Sequence, residues 1–418
     1  MEAAAAPVAN QGESHGTAAK TARCGDSDES AADYISRVPD AVLCTIISLL
    51  PTKDGGRTQI FSRRWRPLWA SAPLNLEVRT RHPGPGVPIR TSSVFPDAAS
   101  KVISKHPGPA CRFCFHGLCP GDLHDQAETW FLSRALAKLQ ELDVGYAFCD
   151  ERNPGRNPLP PSALRSAPTL LVAKISCCDL PREMVPSMGF DLLQRLSLIS
   201  VYISVDVFRG LLPACRALES LHMSNVLGTR CLHVRSPTLR SICFRNTSGR
   251  AELVIEDVPR LVRLLIPFGC RENCGTIRVI SAPKLEILGP LLPVVSKLLL
   301  VSQGVSSADL ANSMHTVKIL ALRCSGYELD GVLNILRRFP CLEKFFVLNA
   351  KALKEIEFEG IYGAKNDVSL AYQHTLLRVE NRASRDAQFE FRSRYRNTAI
   401  HLLRHIHDLS VADPFEQL

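Results

Sequence analysis

The stretch "LESLHM", residues 218–223, carries the pattern that decides the fold: a leucine, two other residues, a second leucine, one other residue and an apolar residue. Nine segments between residues 139 and 347 repeat this order of apolar positions, and successive segments start 21 to 32 residues apart. The segments start at Leu139, Leu170, Leu193, Leu218, Leu239, Leu261, Leu285, Val317 and Leu342. A period of this length indicates that the chain repeats one structural unit.

A leucine-rich repeat of about 20 to 29 residues has this period, and the longer steps indicate insertions. Each repeat can bury its apolar side only against its neighbours. We therefore predict an α/β fold, an irregular solenoid whose parallel sheet lines the concave face of an arc. Residues 205–215 and 329–340 favour helices outside the sheet, whereas residues 231–236, 252–257 and 276–281 favour second strands. The segment "LEKFFV" at Leu342 is also compatible with the start of a helix.

A separate apolar concentration occupies residues 38–69. "VPDAVLCTIISLL", residues 38–50, has apolar residues at helical spacing and has Pro39 where a helix would begin, so it predicts a first helix. A second helix follows, although its two glycines each cost about 1 kcal/mol relative to alanine. "SRRWRPLW", residues 62–69, predicts a third helix that Ser62 caps.

These three helices are too short to form a substantial core of their own. Below about 40 residues a domain usually needs a metal, disulfides or a partner, and residues 38–69 contain no pattern typical of a metal site or a disulfide. The segment therefore predicts an interface that another protein completes.

Residues 33–78 resemble an F-box, from "DYISRVPDAVLC" to the closing "SRRWRPLWASAPLNLEV". The resemblance implies docking on the Skp-type adaptor of an SCF (cullin-RING) ubiquitin ligase, and through that adaptor on the cullin. It assigns adaptor binding to Val38, Pro39, Leu43, Ile46, Ile47, Leu50, Trp65, Leu68 and Trp69. Gly55 and Gly56 replace the family's usual Ala-Val pair, so we expect a frayed second helix and weaker docking.

The C-terminal part resembles the FBD region of plant F-box/leucine-rich-repeat proteins, at "NAKALKEIEF" (349–358), "QHTLLRVENRASRDAQFEF" (373–391) and "DLSVADPF" (408–415). The first half of the FBD is missing, because "CLEKFFVLNAKALKEIEF" joins segments that are separated in the family. The resemblance implies a substrate receptor whose repeats bind a protein destined for ubiquitination. The identity of that protein is left open.

Five regions are predicted from these patterns. They are a disordered tail (1–32), the F-box (33–78), a proline-rich linker or loop (79–110), the repeat domain (111–344) and a partial FBD-like α+β segment (345–418).

Composition restricts the compartment and the partners. No apolar run reaches the 18 or more residues that a membrane span needs. The first 30 residues are a poor match to a signal peptide, and the 15 cysteines are odd in number and scattered. We therefore expect reduced thiols and a location in the cytoplasm, the nucleus or both.

No motif typical of catalysis is found, so we expect neither an enzyme nor a cofactor. Cys111, Cys114, His116 and Cys119 include a single C-x-x-C, but a structural zinc site usually needs a second pair of ligands, so no metal is predicted. His401 and His405 lack the glutamate of a zinc protease motif.

Two other functions stay open. A repeat scaffold that no longer joins a ligase would explain the Gly55-Gly56 pair and the shortened FBD. The formal charge of +9 would be compatible with nucleic-acid binding, although charge spread over a chain this long does not favour it.

Overall fold

The computed structural model describes most of the chain from Tyr34 to Phe415. The described residues are 34–79, 94–118, 122–146, 158–187, 189–246, 251–267, 276–291, 298–300, 314–323, 336, 338–348, 388–392 and 406–415. The predicted tail, residues 1–32, and the FBD-like residues 349–387 lie outside this part.

Six α-helices occur in the described residues. They are α1 (Asp40–Leu49), α2 (Thr52–Arg57), α3 (Trp65–Ser71), α4 (Pro96–Lys105), α5 (Asp122–Leu132) and α6 (Val205–Ala214). Short 3-10 helices cover Ile35–Arg37, Thr58–Ile60, Pro161–Thr169 and Arg182–Ser187.

The strands fall into two groups. The main strands are β1 (Leu74–Val78), β2 (Ala110–Leu118), β3 (Glu141–Tyr146), β4 (Val172–Ser176), β6 (Arg195–Ile199), β8 (Ser220–Ser224), β10 (Ser241–Arg245), β12 (Arg263–Leu265), β14 (Ile287–Leu291), β16 (Ile319–Arg323), β17 (Lys344–Leu348) and β18 (Gln388–Arg392). The outer strands are β5 (Asp179–Leu180), β7 (Tyr202–Ile203), β9 (Cys231–Arg235), β11 (Glu252–Asp257), β13 (Ile277–Val279) and β15 (Leu298–Leu300).

The main strands form one 12-stranded sheet in the order in which they occur along the chain. Its neighbouring strands are all parallel. Outside it, β15, β13, β11 and β9 form a four-stranded sheet, and β5 pairs with β7. This is the predicted arc of repeats with strands and helices on its outer side.

All nine predicted repeats contain a main strand, and each strand begins two residues after the first residue of its segment. The ninth, at Leu342, is strand β17, so the alternative of a helix there was wrong. Helix α6 lies within residues 205–215, and β9, β11 and β13 are the predicted second strands. The helix predicted over 329–340 lies largely outside the described residues.

Alternation along each strand places the core on one side of the sheet. In β8, Leu221 and Met223 point into the main core, whereas His222 between them lies on the opposite side, which we call the concave face. The same alternation buries a pair of apolar residues per repeat. Each such side chain contributes about 1.5–3 kcal/mol through removal from water.

The sheet starts earlier and ends later than the predicted repeat domain of residues 111–344. Strand β1 lies inside the predicted F-box, and β18 lies inside the predicted FBD-like segment. Helix α4 lies in the second half of the predicted linker or loop, 79–110. Ala99 and Ile103 of α4 are buried in the main core, and Pro96 opens the helix at a position where its missing N–H costs nothing.

Helices α1 to α3 dock directly on the first strand. The Thr52 hydroxyl donates to the Asn75 carbonyl over 2.7 Å, and the Asn75 amide donates to the carbonyls of Ser48 and Leu50. A further hydrogen bond connects α3 to the residue that follows α4: His106 donates from Nε2 to the Trp69 carbonyl over 2.9 Å. The helical unit is therefore one end of the solenoid rather than a separate module.

The described cysteines are free thiols with one exception. Cys177 is disulfide-bonded, which differs from the expectation of reduced thiols throughout, whereas the other eight are free. In the described residues no helix combines the length and the apolar character that crossing a membrane would require.

Replacement of Asn75 by alanine should loosen the joint between α1 and β1. The carbonyls of Ser48 and Leu50 would lose their donor, and each such loss costs about 1–2 kcal/mol. Chemical denaturation should show a lower free energy of unfolding for Asn75→Ala. Lys101→Ala, at an exposed position on α4, is the control and should unfold like the wild type; equal stability of all three proteins would contradict the joint.

Candidate functional site

The core of the helical unit takes up four of the residues that the F-box resemblance assigned to adaptor binding. Leu43, Ile47, Trp65 and Leu68 are buried together with Ala72. Val38 and Trp69 pack against this cluster and are partly buried. These side chains hold the three helices together and thereby fix the shape of the unit's surface.

The outer surface of the same unit carries exposed apolar side chains. Pro39 and Ile46 from the predicted set lie there, and Leu50 is half-buried. Exposure is highest at Ile60, with 82%, and at Leu49, with 75%. The exposed apolar surface of the helical unit consists of Tyr34, Ile35, Pro39, Val42, Ile46, Leu49, Ile60 and Phe61.

This surface is large for a region of fewer than 40 residues. Seven of the eleven large hydrophobic side chains that are exposed in the described residues belong to it. A concentration of exposed apolar side chains in one short unit is typical of a protein–protein interface. Six residues of this surface were missed by sequence reasoning, because helical periodicity separates faces but does not show which face a neighbouring helix covers. They are Tyr34, Ile35, Val42, Leu49, Ile60 and Phe61.

The Gly55-Gly56 pair lies under the Trp69 ring. A Cβ on Gly55 would lie 2.6 Å from Trp69 Cζ3, whereas a Cβ on Gly56 would find its nearest neighbour, Trp69 Cζ2, at 3.6 Å. Gly55 is buried inside α2. Because glycine has no side chain, the indole of Trp69 occupies the space where a Cβ would lie. The expected fraying of α2 is therefore not found, since Trp69 packs across the helix.

Arg64 connects the start of α1 to the start of α3. Its guanidinium lies 2.6 Å from the Asp40 carboxylate and donates to the Val38 carbonyl over 2.5 Å. The sequence placed this arginine on a solvated face, and the contact across 24 residues was missed. Ser62, the predicted cap of α3, makes no side-chain cap bond; Arg64 occupies the N-cap position.

A second surface is the concave face, which the C-terminal segment 406–415 crosses. His407 Nε2 lies 2.7 Å from Ser197 Oγ of β6, and His407 Nδ1 lies 2.7 Å from Ser220 Oγ of β8. The Ser241 hydroxyl of β10 donates to the Ile406 carbonyl over 3.2 Å. The segment is thus bound at its N-terminal end by hydroxyl groups from three consecutive repeats.

Arg263 of β12 binds the middle of the segment. Its guanidinium donates to the carbonyls of Asp408, Leu409 and Val411 over 2.9, 3.2 and 2.9 Å. Burial and the nearby Arg240 lower the pKa of Arg263, and Asp408 offsets only part of this effect. The residue is only 4% exposed. All three acceptors are main-chain carbonyls, so Arg263 recognises the path of the main chain and not a particular side chain.

The end of the segment is anchored at β17. Asp413 accepts a hydrogen bond from Lys344 Nζ over 3.3 Å, and the rings of Phe415 and Phe346 lie 5.9 Å apart. Ile406 and Phe415 form a small apolar cluster with concave-face residues of five strands. The cluster contains Cys243, Leu265, Ile287, Ala321, Phe346, Ile406 and Phe415.

Two histidines meet where the segment crosses the sheet: His222 of β8 is buried, and His407 of the segment is partly buried. Burial lowers the pKa of His407 to about 4, with Arg195 and Lys174 adding to the effect. Burial also lowers the pKa of His222 to about 3, reinforced by His407, Lys174 and Arg245. Both imidazoles are therefore neutral near pH 7, and His407 contacts Ser197 and Ser220 in its uncharged form.

The first strands bring together a group that could hold a metal. The donor atoms of Cys114, His116 and Asp143 all lie within 4.8 Å of one another. Asp143 also contacts His116 over 2.7 Å and Lys174 over 3.1 Å. Although burial alone would raise it, these two partners lower the pKa of Asp143.

The Cys114 thiol is held in its protonated form. Burial, followed by Asp143 and Glu77, raises its pKa to about 12, and a metal would have to displace that proton. We interpret the group as an ion-pair network, and the absence of a metal there stays a prediction. Of the zinc candidates, Cys111 donates to Gln140 over 3.1 Å and Cys119 lies outside the described residues.

Comparison with known proteins decides the family. The family model described as "FBD-associated F-box protein At5g56370, LRR repeats" matches residues 127–347, which is more than half of the 418 residues. The chain belongs to this family of FBD-associated F-box proteins with leucine-rich repeats.

Curated relatives from Arabidopsis thaliana have names that also contain F-box, together with LRR, FBD or both. The chain is similar to F-box/LRR-repeat protein At3g59190, at 27% identity over 79% of the chain and 82% of the relative. It is also similar to putative FBD-associated F-box protein At3g50710, at 25% identity over 76% and 77%. With F-box/FBD/LRR-repeat protein At5g56420, identity is 27% over 56% of the chain and 54% of the relative.

These results confirm that the chain is an F-box/leucine-rich-repeat protein of the FBD type. They indicate the general role of an F-box substrate adaptor, and the matched family is one of repeat proteins rather than of enzymes. Of the described FBD-like residues, β18 extends the sheet and residues 408–415 lie on the concave face.

The glycine pair of this F-box gives a matched test of its packing. Gly55→Ala should destabilise the helical unit by about 1–3 kcal/mol, because the new methyl group overlaps the Trp69 ring. Gly56→Ala should be neutral or should stabilise it by up to about 1 kcal/mol, because alanine favours the helix. Chemical denaturation followed by tryptophan fluorescence measures both; a stabilising Gly55→Ala would contradict the packing.

The lowered pKa values of His222 and His407 predict that stability falls with acid. Both folded-state pKa values lie below the ordinary 6.5, so their contribution is complete above that pH and is lost as pH falls toward about 4. Thermal unfolding should show a larger decrease between pH 6.5 and 4.5 for the wild type than for His407→Gln, which cannot be protonated. Parallel decreases in the two proteins would contradict the assignment to His407.

Proposed function

We propose that the protein is the substrate-recognition subunit of an SCF (cullin-RING) ubiquitin ligase. The exposed apolar surface of the helical unit supports this proposal most directly, since it lies in the part of the chain that resembles an F-box. The Skp-type adaptor would cover that surface and connect the chain to the cullin. The repeats would bind the protein that is to be ubiquitinated.

The adaptor would contact the exposed side chains of the predicted set, and the buried members would support them. Pro39 and Ile46 belong to the first group, and the structure adds Val42, Leu49 and Ile60. Energetically important interface residues are usually a few apolar side chains surrounded by near-neutral contacts. The buried members would act indirectly, by fixing the position of α1 against α3. They are Leu43, Ile47, Trp65 and Leu68, with Val38 and Trp69 packed beside them.

The proposed contribution to ubiquitin transfer is proximity rather than bond chemistry. A receptor that holds a target beside the ligase raises the effective concentration of the target lysine near the charged ubiquitin carrier. Assembly of such a ligase would take place in the cytoplasm or the nucleus, and we propose these as the compartments. Packing of Trp69 on Gly55 removes one reason for proposing a scaffold that has left the ligase.

Substitution of exposed residues on α1 tests the adaptor interface. A charged residue in the centre of a desolvated interface costs several kcal/mol, so the Ile46→Asp, Leu49→Asp double variant should lose capture by a purified Skp-type adaptor. Both side chains are exposed, at 44% and 75%, so the circular dichroism spectrum should not change. Leu132→Asp, at the exposed end of α5, is the control and should keep adaptor binding.

Undiminished capture of the double variant would exclude this face of α1 as the interface. Absence of capture by the wild-type protein would overturn the ligase role itself and would favour the scaffold hypothesis.

A further inference from the structure

We infer that the concave face from β6 to β17 is a peptide-binding groove whose resident ligand is the chain's own segment 406–415. A target segment of the same chemical pattern would bind by replacing it. This inference rests on the proposed function in one respect, since it identifies where the receptor holds its target.

The groove is separate from the core that stabilises the solenoid. The main core lies on the other face of the sheet and contains the paired apolar side chains of the repeats from β3 to β16, together with Phe345 of β17. The cluster under the segment is a distinct one, formed only by concave-face residues and the two anchors Ile406 and Phe415. Removal of the segment would therefore leave the core of the repeats covered.

The segment also retains the character of a surface ligand. Asp408, Ser410 and Ala412 are exposed, whereas Ile406, Asp413 and Phe415 are buried. Arg263 and the serine hydroxyls of β8 and β10 contact its main-chain carbonyls, which any peptide can supply. Within the described residues, the segment forms no strand of the sheet.

The segment leaves some polar atoms of the groove without hydrogen bonds, and another ligand could supply them. His222 Nε2, Arg245 Nε and Arg263 Nε are buried, and none of them has a hydrogen-bond partner among the described residues. Buried polar atoms without partners are rare because each one costs free energy. A target peptide that places a hydrogen-bond acceptor beside one of these nitrogen atoms would bind the same groove with additional hydrogen bonds.

The contacts define the class of ligand. It is a short peptide with a bulky apolar residue at each end, nine positions apart as Ile406 and Phe415 are. A carboxylate two positions before the second anchor would meet Lys344, as Asp413 does. Arg263 would hold main-chain carbonyls between them.

Binding of the segment in trans tests the groove. The probe is a fluorescein-labelled peptide of residues 406–415, "IHDLSVADPF", and the readout is fluorescence anisotropy with the full-length chain. Phe415→Ala weakens the resident segment, so it should bind the probe at least about tenfold more tightly than the wild type, in which the groove is occupied at a high effective concentration. Arg263→Gln added to Phe415→Ala should abolish that gain.

Two controls restrict the interpretation of this binding. A probe with serine in place of Ile406 and Phe415 should not bind the Phe415→Ala protein. Leu132→Ala, which removes an exposed apolar side chain on α5, should bind the probe as weakly as the wild type does.

Cysteine labelling distinguishes an opened groove from an unfolded protein. Cys243 lies in the cluster under the segment, whereas Cys215 lies in the main core, and both are free and buried. Maleimide labelling followed by peptide mass mapping should show faster modification of Cys243 in Phe415→Ala, with Cys215 as protected as in the wild type. Added probe peptide should restore protection of Cys243.

Three outcomes would overturn the inference: equal probe affinity for wild type and Phe415→Ala, equal acceleration of labelling at Cys243 and Cys215, or no protection of Cys243 by the probe. Adaptor capture by the same variants is measured in parallel and does not depend on the groove. Retained capture without probe binding would refute the groove alone, whereas probe binding without capture would refute the ligase role alone.

Discussion

The burial of one pair of apolar side chains per repeat is the constraint on which this structure depends. In β8, Leu221 and Met223 point into the core, and the neighbouring strands contribute residues in the same register. Because no repeat can cover these side chains alone, adjacent repeats must stack in parallel. The residue between the two members of each pair then lies on the concave face. Its side chain is not needed for the core and can therefore contribute to binding.

The same constraint connects the helical unit to the solenoid. A stack of repeats needs a cap at its end, and α1 to α3 cover the end of the sheet next to β1 through Thr52, Asn75 and Trp69. The unit buries its inner side chains for that purpose and leaves Ile46, Leu49 and Ile60 exposed on the outside. One short segment can thus terminate the repeats and present an apolar surface to a partner.

The repeat strands could be predicted from the sequence because their signal is local. Every main strand from β3 to β17 lies at the same offset within its segment, since alternation alone determines which residues are buried. The packing of Trp69 on Gly55 and the contact of Arg64 with Asp40 could not be predicted in this way. Both depend on tertiary contacts, which the periodicity of a single helix does not contain.

The position of residues 406–415 was missed for the same reason. The segment contacts residues as much as 210 positions away, and no local pattern marks His407 or Phe415 as ligands of a groove. Similarly, the predicted adaptor-binding set combined residues that support the exposed apolar surface, such as Leu43, with residues that form it, such as Ile46. Sequence spacing identifies the helix, but only the packing of α3 on α1 separates these two roles.

Hydrogen–deuterium exchange of the full-length protein, with and without a purified Skp-type adaptor, is the most direct test of whether the helical unit binds the adaptor. We expect slower exchange in the presence of adaptor within residues 38–61, which contain most of the exposed apolar surface, and unchanged exchange in β8 to β17. Protection of the repeat strands in place of residues 38–61, or no protection at saturating adaptor, would contradict it.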